Sequence, residues 1–342
     1  MSKTMKALVW HGANDMRCEE WPVPEVGPDD ALIKVAYSGI CGSEMSIIHG
    51  TNTHGAQPPK VLGHEFSGTI AAVGKNVRGY KEGDRVTAHP HAACGGCYFC
   101  QRGQEGFCRN AFNFITAKDS GAFSEYTLVR AKNLYRLPDG MSMKTASLIE
   151  PVSIAVHAFS LINMQSGDSV LIQGGGTIGL CCLLVARACG AGRIILSEPM
   201  TARFELAKRF GADVVVNPLK ESLEDAARKV CEYGIDLNIE AAGNPKTCEA
   251  AIPLTKSGGT VLVVGVCPPD KLSSISFGDI NKREIHIIGA NWSPYSFDRT
   301  IEVMRRFDPD PMITHEFRLE QFREALQTQE DKSAVKTTFV LE

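Results

Sequence analysis

Nothing in this chain points to a membrane. No apolar run reaches the roughly 20 residues a bilayer span requires, and the opening Met1–Trp10 lacks the apolar core of a secretory signal. Neither sign of charge is in excess. Lys and Arg total 36 against 39 Asp and Glu, the formal net charge is -3, and no Lys/Arg run occurs. That excludes the basic footprint of a nucleic-acid binder and the block of a disordered acidic tail. Internal repeats and low-complexity tracts are absent too. What is left is an ordinary globular balance, 44% hydrophobic and 22% charged over 342 residues, enough length for two domains. The twelve cysteines, with no secretion signal, read as thiols of a reducing compartment, and the expected location is the cytoplasm.

Four of those cysteines carry the strongest local signal. Cys94, Cys97, Cys100 and Cys108 have the spacing C-x2-C-x2-C-x7-C on a glycine-bearing loop. Zinc takes four such ligands tetrahedrally, with sulfur at about 2.3 Å. A four-cysteine site is coordinatively full: it can hold a loop together but offers no open position to a substrate. The bland alternative is four unrelated thiols. An iron–sulfur cluster uses the same ligands, and a nucleic-acid-binding ribbon is opposed by the charge balance. Cys181, Cys182, Cys189, Cys231, Cys248 and Cys267 stand in apolar surroundings and read as buried small hydrophobes.

The chain changes character near 150–168. Before it, short strands alternate with glycine turns: Ala31–Tyr37, Phe66–Val73, Arg85–Ala88 and Phe123–Val129. After it, strands and helices alternate. Val170–Gln173, Arg193–Ser197, Val214–Val216, Ile235–Glu240, Thr260–Val266 and Ile285–Ala290 read as strands. Ile178–Cys189, Thr201–Phe210, Leu223–Val230 and a stretch after Pro245 read as helices. Such βα alternation implies a parallel sheet covered on both faces. The tail, with a helix at Leu319–Leu326 and a strand at Lys336–Leu341, is expected to rejoin the first domain.

At the end of the first of those later strands stands Gly174-Gly175-Gly176-Thr177-Ile178-Gly179. G-x-G-x-x-G between strand and helix lets the backbone approach a pyrophosphate, which then rests on free N–H groups at the helix N-terminus. Glu198 ends the second strand, where a carboxylate can accept from both ribose hydroxyls and repels a 2′-phosphate. With only Pro199-Met200 following, NAD is expected over NADP; a plain surface glutamate is the alternative. Arg203 reads either as a partner of the adenine or as a solvated helix charge.

Ligand-type residues also occur at Cys41-Gly42-Ser43-Glu44, Gly63-His64-Glu65 and Glu150-Pro151. Cysteine, histidine and carboxylate with one open position is the recipe for catalytic zinc. Sequence separation makes this weak on its own. Taken with the cysteine loop and the glycine loop, in the same order, these motifs closely resemble the zinc-dependent medium-chain dehydrogenase/reductase family over essentially the whole chain. The stretch Ile149–Ala158 looks like its polyol, sorbitol- or galactitol-type branch, with a glutamate where simple alcohol dehydrogenases carry a cysteine.

The resemblance implies an α/β fold: a GroES-like β-rich catalytic domain over 1–155, with a zinc lobe at 90–110, a Rossmann NAD-binding domain over 156–292, and a return to the first domain over 293–342. It implies two zinc ions. Cys94, Cys97, Cys100 and Cys108 would hold the structural one. Cys41, His64 and either Glu65 or Glu150 would hold the catalytic one, the other glutamate holding the zinc-bound water or substrate. The cofactor would lie along Gly174, Gly176, Thr177, Ile178, Gly179, Glu198 and Arg203, with Val264, Gly265, Val266, Asn291 and Trp292 beside the nicotinamide. The substrate would meet Ile47, Phe114, Glu150, Trp292 and Ser293. Ser46, Ile47 and Trp292-Ser293 depart from the sorbitol-type pattern, so sorbitol itself is not expected.

The expected reaction is NAD-dependent oxidation of a secondary alcohol of a polyol or sugar derivative to a ketone. Ser43 would pass the proton outward, through Ser46, His49 or directly to water. An NADP-dependent carbonyl reductase and a simple alcohol dehydrogenase are the alternatives on the same scaffold, and a non-catalytic zinc or cofactor binder is a further one. By the same resemblance the partners are a small-molecule substrate and a second copy of the chain, in a homodimer or homotetramer paired through Ile285–Ala290. No nucleic-acid or membrane partner is expected.

Overall fold

The computed structural model describes residues 3–114, 117, 120–268, 270–332 and 334–342. The chain forms two compact units. The first is Met1–Glu150 with Ile313–Glu342, and the second is Pro151–Met312.

The first unit is β-rich, as its short alternating segments predict. One sheet runs in the order Leu134–Arg136, Arg85–Ala88, Glu65–Val73, Asp30–Gly39, Lys336–Val340, Ile313–Phe317, with Tyr126–Arg130 also pairing with Asp30–Gly39. A three-stranded sheet is built on Thr4–Gly12. Burial is nearly continuous along Asp30–Gly39 and Lys336–Val340, so these strands are covered on both faces. Ile33, Val35, Phe66, Ile70 and Val86 share one core, while Leu8, Trp10, Ile47, Phe123 and Phe339 share another. The last strand closes the unit: Thr338 pairs with Gly39 and Phe339 with Ser38, antiparallel. This register sets Lys336 beside the start of Glu65–Val73.

The second unit holds a six-stranded parallel sheet, ordered Val214–Val216, Arg193–Ser197, Ser169–Gln173, Ile235–Glu240, Thr255–Val263, His286–Gly289. Val170, Leu171 and Ile172 have no exposed surface, and neither do Ile194, Ile195 and Leu196. Continuous apolar runs of this kind are what strands covered on both faces require. The helix Thr177–Ala188 is apolar all round and buried from Gly179 to Ala186.

Several boundaries differ from the sequence expectation: the fifth strand starts at Thr255, and the tail helix runs over Phe322–Glu330 after a 3₁₀ turn at Leu319–Gln321. The fifth strand ends at Val263 rather than Val266, because the Val264 and Gly265 amides both donate to the Glu240 carbonyl, at 2.9 Å each, and leave the ladder. The 201–210 helix opens as a 3₁₀ turn, Thr201–Arg203, before Phe204–Arg209. No helix among the described residues is long and apolar enough to cross a membrane.

Candidate functional site

Cys41, Glu44, His64, Glu65 and Glu150 gather in the first unit. Cys41 precedes the short helix Gly42–Ile48, and Glu44 sits in its first turn. The Glu44 carboxylate reaches back to accept from the Cys41 amide at 2.8 Å, and its other oxygen meets Nδ1 of His64. Ligand atoms of Cys41, Glu44 and His64 lie within 4.8 Å of one another, and so do those of His64, Glu65 and Glu150. All four of Glu44, His64, Glu65 and Glu150 are buried. Lys336 is buried too; it pairs with Glu65 and donates to the Ile40 carbonyl at 3.0 Å.

Three carboxylates and a thiol stand against the Lys336 ammonium and the His64 imidazole, which burial lowers but Glu44 and Cys41 together pull well above its ordinary value, so an ionised Glu150 leaves negative charge in excess out of water. Burial pushes the Glu150 carboxyl up to about 7, and Glu65 adds to that push against the pull of His64. A divalent cation relieves such a group, and these are zinc's ligand types. The donor set therefore fits a metal. Sequence analysis named Glu44 within its stretch but gave it no role, and it did not pick out Lys336. Glu44 had a local signal, since an acidic residue three positions after a helix-capping residue commonly turns back on the cap. Lys336 had none.

Ser43 lies next to Cys41 and Glu44 in the chain. Its Oγ is buried and has no hydrogen-bond partner. The nearby histidine is tied down: His49 Nδ1 meets Asn14 Oδ1 at 2.9 Å, and Nε2 meets Glu330 at 3.0 Å. Ser46 donates to the Gly42 carbonyl at 3.2 Å.

The four lobe cysteines also converge. Cys97 and Cys100 sulfurs are 3.4 Å apart, Cys97 and Cys108 3.8 Å, Cys94 and Cys100 4.0 Å. The Cys94 amide donates to Cys108 Sγ at 3.3 Å. Backbone N–H groups, that of Cys100 foremost, hold the Cys97 thiol down to about 6. Sulfurs at this spacing fit one tetrahedral ion.

In the second unit the glycine loop joins the strand Ser169–Gln173 to the helix Thr177–Ala188, with Gly176 at the cap. Gly179 is needed for close approach: a Cβ there would run into the Gly174 carbonyl oxygen. Glu198 is clamped at the strand end. Its Oε2 accepts from the Gly175 amide at 2.7 Å, its Oε1 from the Met200 amide at 2.8 Å, and Arg203 lies 3.4 Å from Oε2. Arg203 is thus a partner of Glu198 rather than a solvated charge. A loop with free backbone approach beside a fixed carboxylate fits a dinucleotide.

The remaining expected residues divide between the two units. Val264 is buried, Val266 is exposed, and Trp292 has a left-handed backbone with φ of 61°. The Ser293 hydroxyl is buried and accepts from Ser153 at 2.8 Å. Ile47 belongs to a hydrophobic core, and Phe114 stacks on Phe66 at 5.5 Å between ring centroids inside another. Of the six cysteines expected to be buried, only Cys181 and Cys182 are; Cys189 is exposed, and Cys231, Cys248 and Cys267 are half-buried.

Comparison with known proteins agrees with this reading. Residues 27–139 match the alcohol dehydrogenase GroES-like domain and residues 177–308 the zinc-binding dehydrogenase domain. The chain belongs to the zinc-dependent medium-chain dehydrogenase/reductase family, in its polyol dehydrogenase branch. It is an oxidoreductase. Sorbitol dehydrogenase of Bacillus subtilis (strain 168) is 33% identical over 95% of this chain and 93% of its own length. D-arabitol-phosphate dehydrogenase of Enterococcus avium is 34% identical over 98% and 97%. A zinc-binding dehydrogenase of Sinorhizobium meliloti 1021, solved bound to NADP, is 32% identical with a TM-score of 0.94, covering 99% of this chain and all of that one.

Proposed function

We propose that this enzyme oxidises a secondary alcohol of a polyol or sugar derivative to a ketone, with NAD as acceptor. The observation that carries the reading is the pair of ligand groups that share His64, Cys41–Glu44–His64 and His64–Glu65–Glu150, with an unpartnered Ser43 hydroxyl nearby in the chain. When bound, zinc there supplies Lewis acidity to a substrate hydroxyl, and NAD supplies the hydride acceptor. Cys41, His64 and Glu150 would hold the metal. Glu65, already paired with Lys336, stays beside it as the second carboxylate. Glu44 fixes the ring of His64 through Nδ1, leaving Nε2 for the metal. Ser43 takes the proton of the substrate hydroxyl and passes one to solvent; with both ring nitrogens of His49 engaged, the route does not need that residue. Cys94, Cys97, Cys100 and Cys108 would hold a structural zinc.

NAD is favoured by Glu198. Two backbone amides and Arg203 fix its carboxylate, so a 2′-phosphate would face a negative charge that cannot easily swing away. The NADP-bound relative makes this a point to test on the chain itself. NAD should exceed NADP by at least about tenfold in kcat/KM, roughly 1.4 kcal/mol, and Glu198→Ser should narrow the gap. Equal use of both cofactors by the unmutated enzyme would refute the assignment.

Glu150 favours a vicinal diol, because a buried carboxylate can receive the second hydroxyl. The test is a panel of C4–C6 polyols, inositols, deoxy-sugars and simple secondary alcohols, read by the absorbance of reduced cofactor. Best activity on an aromatic or long-chain mono-alcohol, with none on any diol, would move the chain to the simple alcohol dehydrogenases. The edge strand His286–Gly289, with Ile287 44% exposed, suits pairing with a second copy. Light scattering that reports a monomer at working concentration would remove that part.

A further inference from the structure

We propose that the second unit carries a further metal site, in which Cys248, Cys267 and Glu240 hold a thiophilic divalent cation of the zinc class. The three residues come from separate pieces of chain. Glu240 ends the strand Ile235–Glu240, Cys248 lies on the helix Pro245–Leu254, and Cys267 follows the strand Thr255–Val263 by four residues. Their sulfurs and a Glu240 carboxylate oxygen all lie within 4.8 Å of one another. None of them belongs to the two metal-binding groups of the first unit.

Glu240 is the telling member. It has no exposed surface. Its Oε1 is fully used, accepting from the Ala242 amide at 2.9 Å and the Thr247 hydroxyl at 2.6 Å, with the Asn244 amide at 3.4 Å. Its Oε2 has no hydrogen-bond partner, and among the described residues no Lys, Arg or His pairs with it. A buried carboxylate oxygen left without donor or cation is costly. A cation drawn to two thiols and that oxygen removes the cost. The loop is shaped for this: Gly265 passes so close to Glu240 Oε2 that a Cβ would collide with it, and the chain then turns to bring Cys267 round.

A divalent cation would bind the two sulfurs as thiolates, each thiol losing its proton to solvent. Both cysteines are half-buried, so an ion can enter from water. Among the described residues no fourth His, Cys or carboxylate joins the group, and water completes a tetrahedron.

The test reads metal, not turnover, and compares variants of the same holoenzyme, so it stands or falls separately from the reaction proposed above. Reduced protein is equilibrated with micromolar zinc, freed of unbound ion, and weighed by native mass spectrometry alongside elemental analysis. Cys248→Ala and Cys267→Ala should each carry one zinc fewer than the unmutated chain. Zinc should also shield both thiols from iodoacetamide, as peptide mapping reads, and a chelator should restore labelling. Glu240→Gln keeps the shape and removes the charge; its zinc affinity should fall by about tenfold or more. Should that variant fail to fold, the cysteine variants and the labelling carry the test. Equal zinc content in the unmutated chain and both cysteine variants would overturn the proposal. So would uptake only at millimolar zinc, an adventitious ion only, or a Cys248–Cys267 disulfide that forms in place of zinc binding.

Discussion

At the residue scale the two neighbouring glutamates ask for different things. Glu65 and Lys336 form a pair with each side chain 2% exposed. Neutralising one partner leaves the other charged and out of water, which costs roughly 3–5 kcal/mol. Glu65→Gln should therefore lower thermal stability sharply. Glu150 sits within the same group with its carboxyl pushed up to about 7 by burial, so replacing it with an amide removes little buried charge near neutral pH. Glu150→Gln should leave the melting temperature nearly unchanged, lower zinc retention, and remove most turnover. Calorimetry and metal analysis on the two variants decide the matter; a reversed pattern would make Glu65 the ligand. Glu44→Gln is expected to weaken zinc affinity by about 10- to 100-fold, since it alters the partner that orients His64.

The residues legible in the sequence were those with local spacing. Cys94, Cys97, Cys100 and Cys108 lie within one loop, and the glycines of 174–179 lie within one turn. Lys336 was illegible because it reaches Ile40 only through strand pairing at a separation of 296 residues. The core settings of Ile47 and Phe114, the latter stacked on Phe66, are decided by tertiary packing that local spacing does not show.

At the scale of elements, the parallel sheet is stapled at its N-terminal edge by Asp236. Its carboxylate accepts from the Ser169 amide at 2.9 Å and pairs with Lys256, tying together the starts of three adjacent strands. The alternation of strands and helices was readable because apolar runs such as Val170–Ile172 are local; this cross-strand staple was not. Burial works to raise the Asp236 carboxyl, but the bonds from Lys256 and Ser169 outweigh it and leave it below the usual value. A carboxyl depressed in the folded state contributes stability above its unfolded value of about 3.9, and that contribution is lost as pH falls through the folded value. Asp236→Asn should cost about 1–3 kcal/mol near neutral pH and flatten the acid side of the stability profile below about pH 4. An unchanged acid limb in urea titrations from pH 7 to pH 3 would show that the staple carries no weight.

For the whole molecule, the two metal-binding groups of the first unit should separate stability from activity. The Cys94–Cys108 lobe offers four sulfurs and no vacancy. Among the described residues it contains only short 3₁₀ turns, Cys100–Arg102 and Glu105–Phe107, and one two-stranded ribbon, His91–Ala92 with Phe112–Asn113, so a metal held there would be its main crosslink. The group at Cys41, His64 and Glu150 is instead framed by strands and by the Glu65–Lys336 pair, which hold it whether or not an ion is present. Its mixed ligand set, open at one position, also releases zinc more readily than four thiolates. A carboxylate chelator at neutral pH should therefore remove turnover first while the melting temperature moves little. Cys97→Ser, or an organomercurial that titrates the lobe thiols, should lower the melting temperature by about 2–4 °C for each kcal/mol lost. Re-adding zinc should restore turnover to the chelated protein in full. If activity and melting temperature instead fall together in proportion to metal removed, the lobe and the reactive group are one thermodynamic unit and the division of roles is wrong.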